Sequence, residues 1–526
     1  MHQVEQLARM AWGLRRFLRE PMTLSRAKEQ LRARLARRPE RFLHVADRLI
    51  YANPSSPYRH LLLWAGCEYG DLERAVRRNG IEPTLAKLRD EGVHVSLEEF
   101  KSKTPIARHG LRLETSASDF DNPYLMGTGI VSSTSGSRSK PTRVAYDWDF
   151  MAEQAANECL LHHIHGVSRG PLAVWLPIPP GIAGVLYVLL NAKFRRPPAR
   201  WFSHVDPASY PLLSRNRLAA EYIVWGCRVL GHAVPRPEFA DLASAGKVAA
   251  WMAEAKRTDG QCVLRTYVSS AVRVARAALE RGLDLRGCVV LTGGEPLTER
   301  RRTFIESTGA AAFPRYTATE SGMISASCDL RDGADDMHIY LDRLAVIQRR
   351  RLTRHGDHEV DSFLFSSLSP SSGKVLLNAD IGDFGTLSTR PCACAFGELG
   401  MDLRVSNVRS HDKLVGEGMS LLGSDLDDLI AQLVERAGGG PDDYQFWETE
   451  DEDGFATLLV AISPRIQRLD EPRFIADALD RLRANPHGGS LVSSLWRQAH
   501  TLRIVRAEPY VTRGQKLLRI ARDPRR

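Results

Sequence analysis

The sequence predicts an α/β protein, in which a large N-terminal domain with mostly parallel sheets precedes a small α+β domain. Residues 128 to 400 alternate short apolar runs with amphipathic stretches, which is typical of a largely parallel sheet flanked by helices. The pattern changes near Asn407, and the segment 407–526 has the size of an independent unit. A chain of 526 residues is also long for one compact domain, so more than one unit is expected.

Hydrophobic periodicity assigns the elements in chain order. Residues 1–120 are predicted to be mainly helical and to pack on the large domain, whose core spans 121–406. In that core, Ala271–Arg281 is predicted as a helix and Cys288–Thr292 as a buried strand. A linker is expected around Arg404–Asp412. The predicted order beyond it is helix, strand, helix and strand, at Asp425–Ala437, Phe455–Ile462, Glu471–Ala484 and Leu502–Val505.

Charge and composition narrow the functional class. The net charge is +9, and much of the excess lies in the first 45 residues, where the apolar spacing favours a solvated face of an amphipathic helix over a nucleic-acid-binding arm. The uncharged stretch Pro171–Ala192 contains prolines and glycines, so we interpret it as a buried strand, a turn and a helix. The eight cysteines form no disulfide framework. These features predict a cytoplasmic protein with no nucleic-acid partner and no stable membrane insertion.

A hydroxyl-rich loop is the first motif with chemical meaning. Its hydroxyls, amides and lysine can surround phosphate oxygens, although the spacing is not that of the GxxxxGK[ST] nucleotide loop, and a flexible surface loop is the alternative. The candidate ligands are Ser133, Thr134, Ser135, Gly136, Ser137 and Lys140.

Two further motifs follow buried strands. Gly294, Glu295 and Pro296 form a turn where glycine lets a flat ligand approach the backbone, or a simple strand-to-helix turn. In the next motif, Tyr316 can stack or bond a base, Thr319 can contact a phosphate, and the Glu320 carboxylate can hold Mg²⁺.

Two motifs remain in the last third of the chain. Asp383 lies in a glycine-rich turn, where its carboxylate can accept hydrogen bonds from two ribose hydroxyls. Lys516 lies near the C-terminus, where a lysine on a mobile unit can reach a site built elsewhere. A plain turn and an ordinary basic tail are the respective alternatives.

In this order, the five motifs resemble the adenylate-forming superfamily of acyl-CoA synthetases and AMP ligases, in particular its phenylacetate–CoA ligase and capsule-biosynthesis branch. The resemblance spans Gly127–Arg519. It implies a phosphate loop at the hydroxyl-rich segment, an adenine-binding turn at 294–296, and a lid-like mobile domain at 407–526. The residue roles that it implies are phosphate contact by Thr319, Mg²⁺ binding by Glu320, ribose binding by Asp383 with Arg409 following it, and catalysis by Lys516.

The resemblance also implies a reaction, which is ATP-dependent activation of a carboxylic acid to an acyl-adenylate with release of pyrophosphate. Coenzyme A is the expected acyl acceptor, as in an AMP-forming acid–thiol ligase. An amine, a hydroxyl or an acyl carrier protein as acceptor, another oxyanion as substrate, a degenerate nucleotide-binding protein and a homodimeric state remain open. The sequence departs from the family pattern at Ser139, Thr317, His411 and Gln515, and the last two bear on the second half-reaction.

The order C…H…C-x-C predicts a metal site outside the nucleotide motifs. Three thiolates and one imidazole make a closed tetrahedral Zn²⁺ site of the structural kind, and some members of the resembling branch carry this order. Two unrelated cysteine groups are the alternative. The four candidate ligands are Cys328, His338, Cys392 and Cys394.

Overall fold

The N-terminal region is helical in the computed structural model. The model describes residues 12–125, 130–133, 143–179, 181–209, 215–352, 359–410, 413–416, 419–450, 455–483, 489–510 and 520–522. The first helices are α1 (residues 12–19), α2 (Leu24–Ala36), α3 (Arg38–Val45), α4 (Pro57–Trp64), α5 (Tyr69–Asn79), α6 (Ile81–Asp90) and α7 (Leu97–Phe100). In α2, Ala27 and Leu31 are fully buried, which confirms the predicted amphipathic helix.

Two short hairpins follow the helices. The first pairs β1 (Ile106–Arg108) with β2 (Leu111–Leu113), and the second pairs β3 (Ile130–Ser133) with β4 (Arg143–Tyr146). Because Ser133 pairs with Arg143, the two ends of the hydroxyl-rich segment 134–142 lie side by side. The β4 strand leads directly into α8 (Trp148–Ile164), whose first turn is capped by the side chain of Asp147.

A six-stranded sheet forms the centre of the large domain, and all its neighbouring strands are parallel. The strand order is β10-β9-β8-β5-β6-β7, in which the strands are β5 (Leu172–Trp175), β6 (Arg200–Ser203), β7 (Pro237–Phe239), β8 (Cys262–Tyr267), β9 (Cys288–Gly293) and β10 (Ala311–Phe313). The connecting helices are α9 (Ala183–Lys193), α10 (Arg215–Val229), α11 (Ala245–Asp259), α12 (Val268–Glu280) and α13 (Glu299–Glu306). Strands β5 and β8 are buried along their whole length, as central parallel strands are.

A second sheet of seven antiparallel strands lies beside the first, which adds to the mostly parallel arrangement that the sequence predicts. Its order is β11-β12-β13-β17-β16-β15-β14, with β11 (Arg315–Ala318), β12 (Gly322–Ala326), β13 (Met337–Ile339), β14 (Leu344–Leu352), β15 (Glu359–Ser367), β16 (Ala379–Thr389) and β17 (Leu403–Ser410). One buried cluster joins this sheet to the N-terminal helices, with Leu61 and Leu85 packed in the same core as Phe363 and Phe365. The helical region therefore packs on the large domain.

The C-terminal segment forms a mixed four-stranded sheet in the order β22-β21-β20-β23, covered by helices. Its elements are β18 (Lys413–Gly416), β19 (Met419–Leu422), α14 (Gly423–Arg436), β20 (Tyr444–Glu450), β21 (Ala456–Ile462), α15 (Glu471–Arg483), α16 (Gly489–Ala499), β22 (Leu502–Arg506) and β23 (Ile520–Arg522). Leu491 and Leu495 of α16 pack into the core around α11 and α12. The helices and strands predicted in this segment are confirmed within a few residues.

Two predictions about the whole chain can also be compared with the structure. The stretch Pro171–Ala192 forms β5, a turn and most of α9, as predicted. Within the described residues, no helix has both the length and the hydropathy that crossing a bilayer requires. All eight cysteines lie in described segments, and each of them is a free thiol.

Candidate functional site

The turn that carries Thr319 and Glu320 joins β11 to β12 and is fixed from several directions. The Tyr146 hydroxyl donates a hydrogen bond to the Thr319 carbonyl oxygen at 2.8 Å. Gly322 has φ +72°, and a Cβ there would lie 2.7 Å from Oε1 of Gln154, so only glycine fits. Because Tyr146 ends β4, the hairpin around the hydroxyl-rich segment is connected directly to this turn.

Tyr316 and Asp383 are 67 residues apart in sequence but meet in the fold, where the tyrosine hydroxyl donates to Asp383 Oδ2 at 2.7 Å. Burial and the neighbouring carboxylate raise the pKa of Tyr316 well above its usual value, so its hydroxyl remains a donor. Arg409 lies on β17 and pairs with Phe384 of β16, the residue that follows Asp383. Its guanidinium group lies 3.7 Å from the Asp335 carboxylate. The structure thus brings two of the residues that are predicted to bind nucleotide, Tyr316 and Asp383, into contact.

The turn at 294–296 lies at the carboxyl end of β9. The Glu295 carboxylate is buried and accepts hydrogen bonds from the backbone nitrogen and the hydroxyl of Ser269, both at 2.9 Å. Ser269 belongs to the first turn of α12, so Glu295 fixes that helix end to the turn. Gly294 has φ +79°, which glycine adopts without strain, and the Pro296 carbonyl accepts from Arg301 at 2.9 Å.

Glu320 carries an ion pair that the sequence does not reveal. The Lys101 ammonium lies 2.5 Å from Glu320 Oε1, and both side chains are only 8% exposed. Lys101 directly follows α7, and 219 residues separate it from its partner, so no local pattern connects them. Glu320 supplies the oxygen ligand that Mg²⁺ prefers. The ion pair occupies Oε1, so an ion that bound this oxygen would have to displace Lys101.

Several predicted residues lie outside the described part of the chain. They are Thr134, Ser135, Gly136, Ser137, Lys140, His411, Gln515 and Lys516. Ser133 is described as the last residue of β3. The predicted roles of these residues therefore stay predictions.

The predicted metal ligands converge. The ligand atoms of Cys328, His338, Cys392 and Cys394 all lie within 4.8 Å of one another, although they come from segments up to 66 residues apart. The Sγ atoms of Cys328 and Cys392 are 3.8 Å apart, and Cys394 Sγ is 3.3 Å from His338 Nε2. The alternative of two unrelated cysteine groups is wrong as a description of the fold, because the thiols share one site.

The surroundings of this cluster suit a metal-binding tautomer of His338 and a negatively charged thiolate at Cys328. His338 Nδ1 lies 2.7 Å from the Met401 carbonyl oxygen, which leaves Nε2 facing the cysteines. The Arg404 guanidinium approaches both His338 Nε2 at 2.9 Å and Cys328 Sγ at 3.7 Å, and it pairs with Asp336. The Cys394 thiol and Arg404 lower the pKa of Cys328 well below its usual value. The donor set of three cysteines and one histidine therefore fits a structural Zn²⁺ ion.

The chain was compared with known proteins in both sequence and structure. No family model matches the chain, and no curated protein matches it in sequence. Among solved structures, a 2-hydroxyisobutyryl-CoA ligase in complex with 2-HIB-AMP and CoA, in its thioesterification state, is 14% identical. The match covers 96% of this chain and 91% of that chain at a TM-score of 0.58. The chain therefore shares the fold of this CoA ligase, which confirms the predicted fold.

Two further solved structures match more weakly. An amide bond synthetase from Marinactinospora thermotolerans is 14% identical, with 75% of this chain and 68% of that chain covered at a TM-score of 0.41. An o-succinylbenzoate CoA synthetase from Bacillus subtilis is 12% identical, with 74% and 67% covered at a TM-score of 0.40.

Proposed function

We propose that the protein activates a carboxylic acid with ATP to an acyl-adenylate and then passes the acyl group to coenzyme A. The observation that carries this proposal is the convergence of separate motifs in a chain with this fold. Tyr316 bonds Asp383, and the adjoining Thr319 turn is bonded to Tyr146 at the end of the hydroxyl-rich hairpin. Three segments that carry residues we propose for nucleotide binding are thereby joined by hydrogen bonds, which supports a shared site.

The proposed roles follow from the charge that develops during adenylation. Attack of the carboxylate oxygen on the α-phosphorus forms a mixed anhydride, breaks the bond to the β-phosphate oxygen and releases pyrophosphate. This step concentrates negative charge, so donors and cations must already be in place. Thr319 and the loop from Ser133 to Lys140 would orient the phosphates, Lys516 would stabilise the charge, and Asp383 would hold the ribose.

Glu320 would hold Mg²⁺, which when bound supplies charge neutralisation at the phosphates. The chain itself keeps this carboxylate neutralised by Lys101 in the absence of the ion. The lysine would therefore prevent an unpaired buried charge before nucleotide binds. Thr319 and Glu320 belong to one rigid turn, so a shift of the turn would move the phosphate contact and the metal ligand together.

We further propose that the adenylation core, predicted over residues 121–406, extends through β17 to Ser410, and that the remainder of the predicted 407–526 unit is a mobile lid that brings Lys516 to it. The branch we favour is that of the phenylacetate–CoA ligases and capsule-biosynthesis proteins, on the basis of the C…H…C-x-C cluster. A Zn²⁺ ion there would be structural, since four protein ligands leave no open position. It would connect the segment after β12 with the segment after β16.

A pyrophosphate-release screen tests the proposed function. Aryl and alkyl carboxylic acids are offered with Mg²⁺ and ATP, each with and without coenzyme A, an amine mixture or a carrier protein. We expect acid-dependent release that Glu320→Gln abolishes and that Glu398→Gln, a change at a surface carboxylate, leaves intact. Coenzyme A should raise turnover above that of adenylation alone.

Two results would overturn parts of this proposal. Acid-independent pyrophosphate release, or none across the screen despite ATP binding, would rule out acid adenylation. Stimulation by an amine or a carrier protein in place of coenzyme A would keep adenylation and replace the acceptor.

A further inference from the structure

A buried group of charged side chains lies beside the candidate site and takes no part in the roles proposed so far. Glu158 of α8 is fully buried, and its Oε1 accepts from Arg265 Nη2 at 2.5 Å. Its Oε2 lies 2.7 Å from Arg315 Nη1, but without the angle of a hydrogen bond. Arg265 and Arg315 are 2% and 3% exposed. One carboxylate is thus shared by two guanidinium groups that solvent hardly reaches.

The cluster carries an excess positive charge and unfilled donors. Burial lowers the pKa of His162, whose Nε2 lies 3.3 Å from Glu158, so the imidazole is neutral and leaves a net charge of one. Among the described residues, Nε and Nη1 of Arg265 and Nε and Nη2 of Arg315 have no hydrogen-bond acceptor, and Nη1 of Arg315 has only the ion pair with Glu158. Leaving such donors buried and unpaired costs several kcal/mol, which indicates that an anion completes the group.

The position of the two arginines connects them to the reaction. Arg265 lies near the carboxyl end of β8, in register with Leu291 of β9, two strand residues before the turn at Gly294. Arg315 begins β11 and directly precedes Tyr316. Four residues of extended chain separate Arg315 from Thr319, a span of at most about 13 Å. An acid whose reacting carboxylate lies near Thr319 can therefore extend its other end towards the arginines.

We propose that Arg265 and Arg315 bind a second anionic group of the acid substrate, so that the enzyme prefers dicarboxylic acids. The proposal rests on the proposed function, since it names the substrate class for acid adenylation. Two arginine forks that share one glutamate have donors left for one further carboxylate. A dicarboxylic acid is preferred because a monocarboxylic acid of equal length would leave those donors unpaired.

Tyr187 covers the arginines in the absence of such a ligand. Its ring lies over both guanidinium groups, 4.7 Å from that of Arg265 and 4.9 Å from that of Arg315. At 8% exposure it is also the most accessible member of the cluster. It belongs to α9, the helix that follows the Leu176–Gly181 loop. A turn of this side chain lets the second carboxylate take the place of the aromatic face, which is the weaker partner of the two.

The test compares matched acids on the full-length protein. The dicarboxylic series from succinate to suberate is paired with monocarboxylic acids of the same carbon number in an ATP–pyrophosphate exchange assay. We expect kcat/KM at least about tenfold higher for the best diacid than for its partner, and a ratio near one in Arg315→Met and Arg265→Met. Arg265→Lys keeps the positive charge but loses the planar guanidinium group. Its ratio of kcat/KM for diacid over monoacid should therefore lie between those of the parent and of Arg265→Met. Arg331→Met, at a mostly buried arginine that pairs with Glu306 outside this cluster, is the matched control.

Calorimetric binding of the same acids without ATP separates the two proposals. Equal kcat/KM for diacids and monoacids in the parent protein overturns the anion site and leaves adenylation standing. Binding of diacids that is lost in Arg315→Met, without exchange for any acid, overturns adenylation and supports the anion site. If the parent protein shows no exchange with any acid and binds no diacid, both proposals are overturned. If the variants do not fold, as checked by circular dichroism, the parent comparison alone decides.

Discussion

Replacing Lys101 by methionine removes the cation that neutralises Glu320 while keeping most of the side-chain volume. In the structure, the Lys101 Nζ lies 2.5 Å from Glu320 Oε1, and each side chain is 8% exposed. A pair this well shielded differs from a surface salt bridge, which contributes about 0–1 kcal/mol. Breaking it leaves a buried carboxylate beside the Thr319 turn.

Removing one partner of a buried pair lowers the free energy of unfolding by about 3–5 kcal/mol. In the absence of ligand, Lys101→Met is therefore expected to lower the thermal midpoint clearly. Mg²⁺ with ATP should reverse most of this loss, because a cation again faces Glu320. The parent protein must first open the ion pair to bind the ion, so the variant should half-saturate with Mg²⁺ at a concentration about tenfold or more below the parent.

The assay is a thermal unfolding series with and without saturating Mg²⁺ and ATP, followed by a Mg²⁺ titration of acid-dependent pyrophosphate release. Lys87→Met, at a surface lysine whose side chain is 74% exposed and pairs with Glu91 at the end of the same helix, is the control and should match the parent in both measurements. If Lys101→Met is as stable as the parent without ligand, or needs more Mg²⁺ rather than less, the inferred competition between Lys101 and the metal ion is wrong.

Three further variants test other parts of the site. Lys516→Ala should slow acid-dependent pyrophosphate release by about a hundredfold or more without lowering the thermal midpoint, and parent-like release would refute its proposed role. Tyr316→Phe removes the hydrogen-bond donor to Asp383, so it should lower the free energy of unfolding by about 1.5–3 kcal/mol and raise the KM for ATP. An unchanged KM would show that the hydrogen bond between Tyr316 and Asp383 does not contribute to nucleotide binding. Purified, untagged protein should carry about one equivalent of zinc by mass spectrometry, and Cys392→Ser should lower metal content and thermal midpoint together. Less than half an equivalent, with Cys392→Ser as stable as the parent, would contradict the zinc site.

Local sequence patterns predicted much of the secondary structure. The apolar run at 288–292 became β9, and the periodicity of 271–281 became most of α12, because a strand or helix needs only its own residues to define which face is buried. The cysteine and histidine order also predicted that these four side chains converge, since few residue types ligate zinc and all four candidates were present. The antiparallel sheet was harder to foresee: its order depends on how distant strands pair, as when β13 lies next to β17.

The sequence by itself determined the class of fold, the helices and strands, and the candidate residues of the nucleotide and metal sites, because each of these depends on short patterns. Only the tertiary structure decided which residues meet. Lys101 pairs with Glu320 across 219 residues, and Arg265 and Arg315 share Glu158 across 107 and 157 residues. Such contacts arise when separate elements pack together, and burial then makes their charges strong. No local spacing records them, so these contacts and their energies appear only in the folded chain.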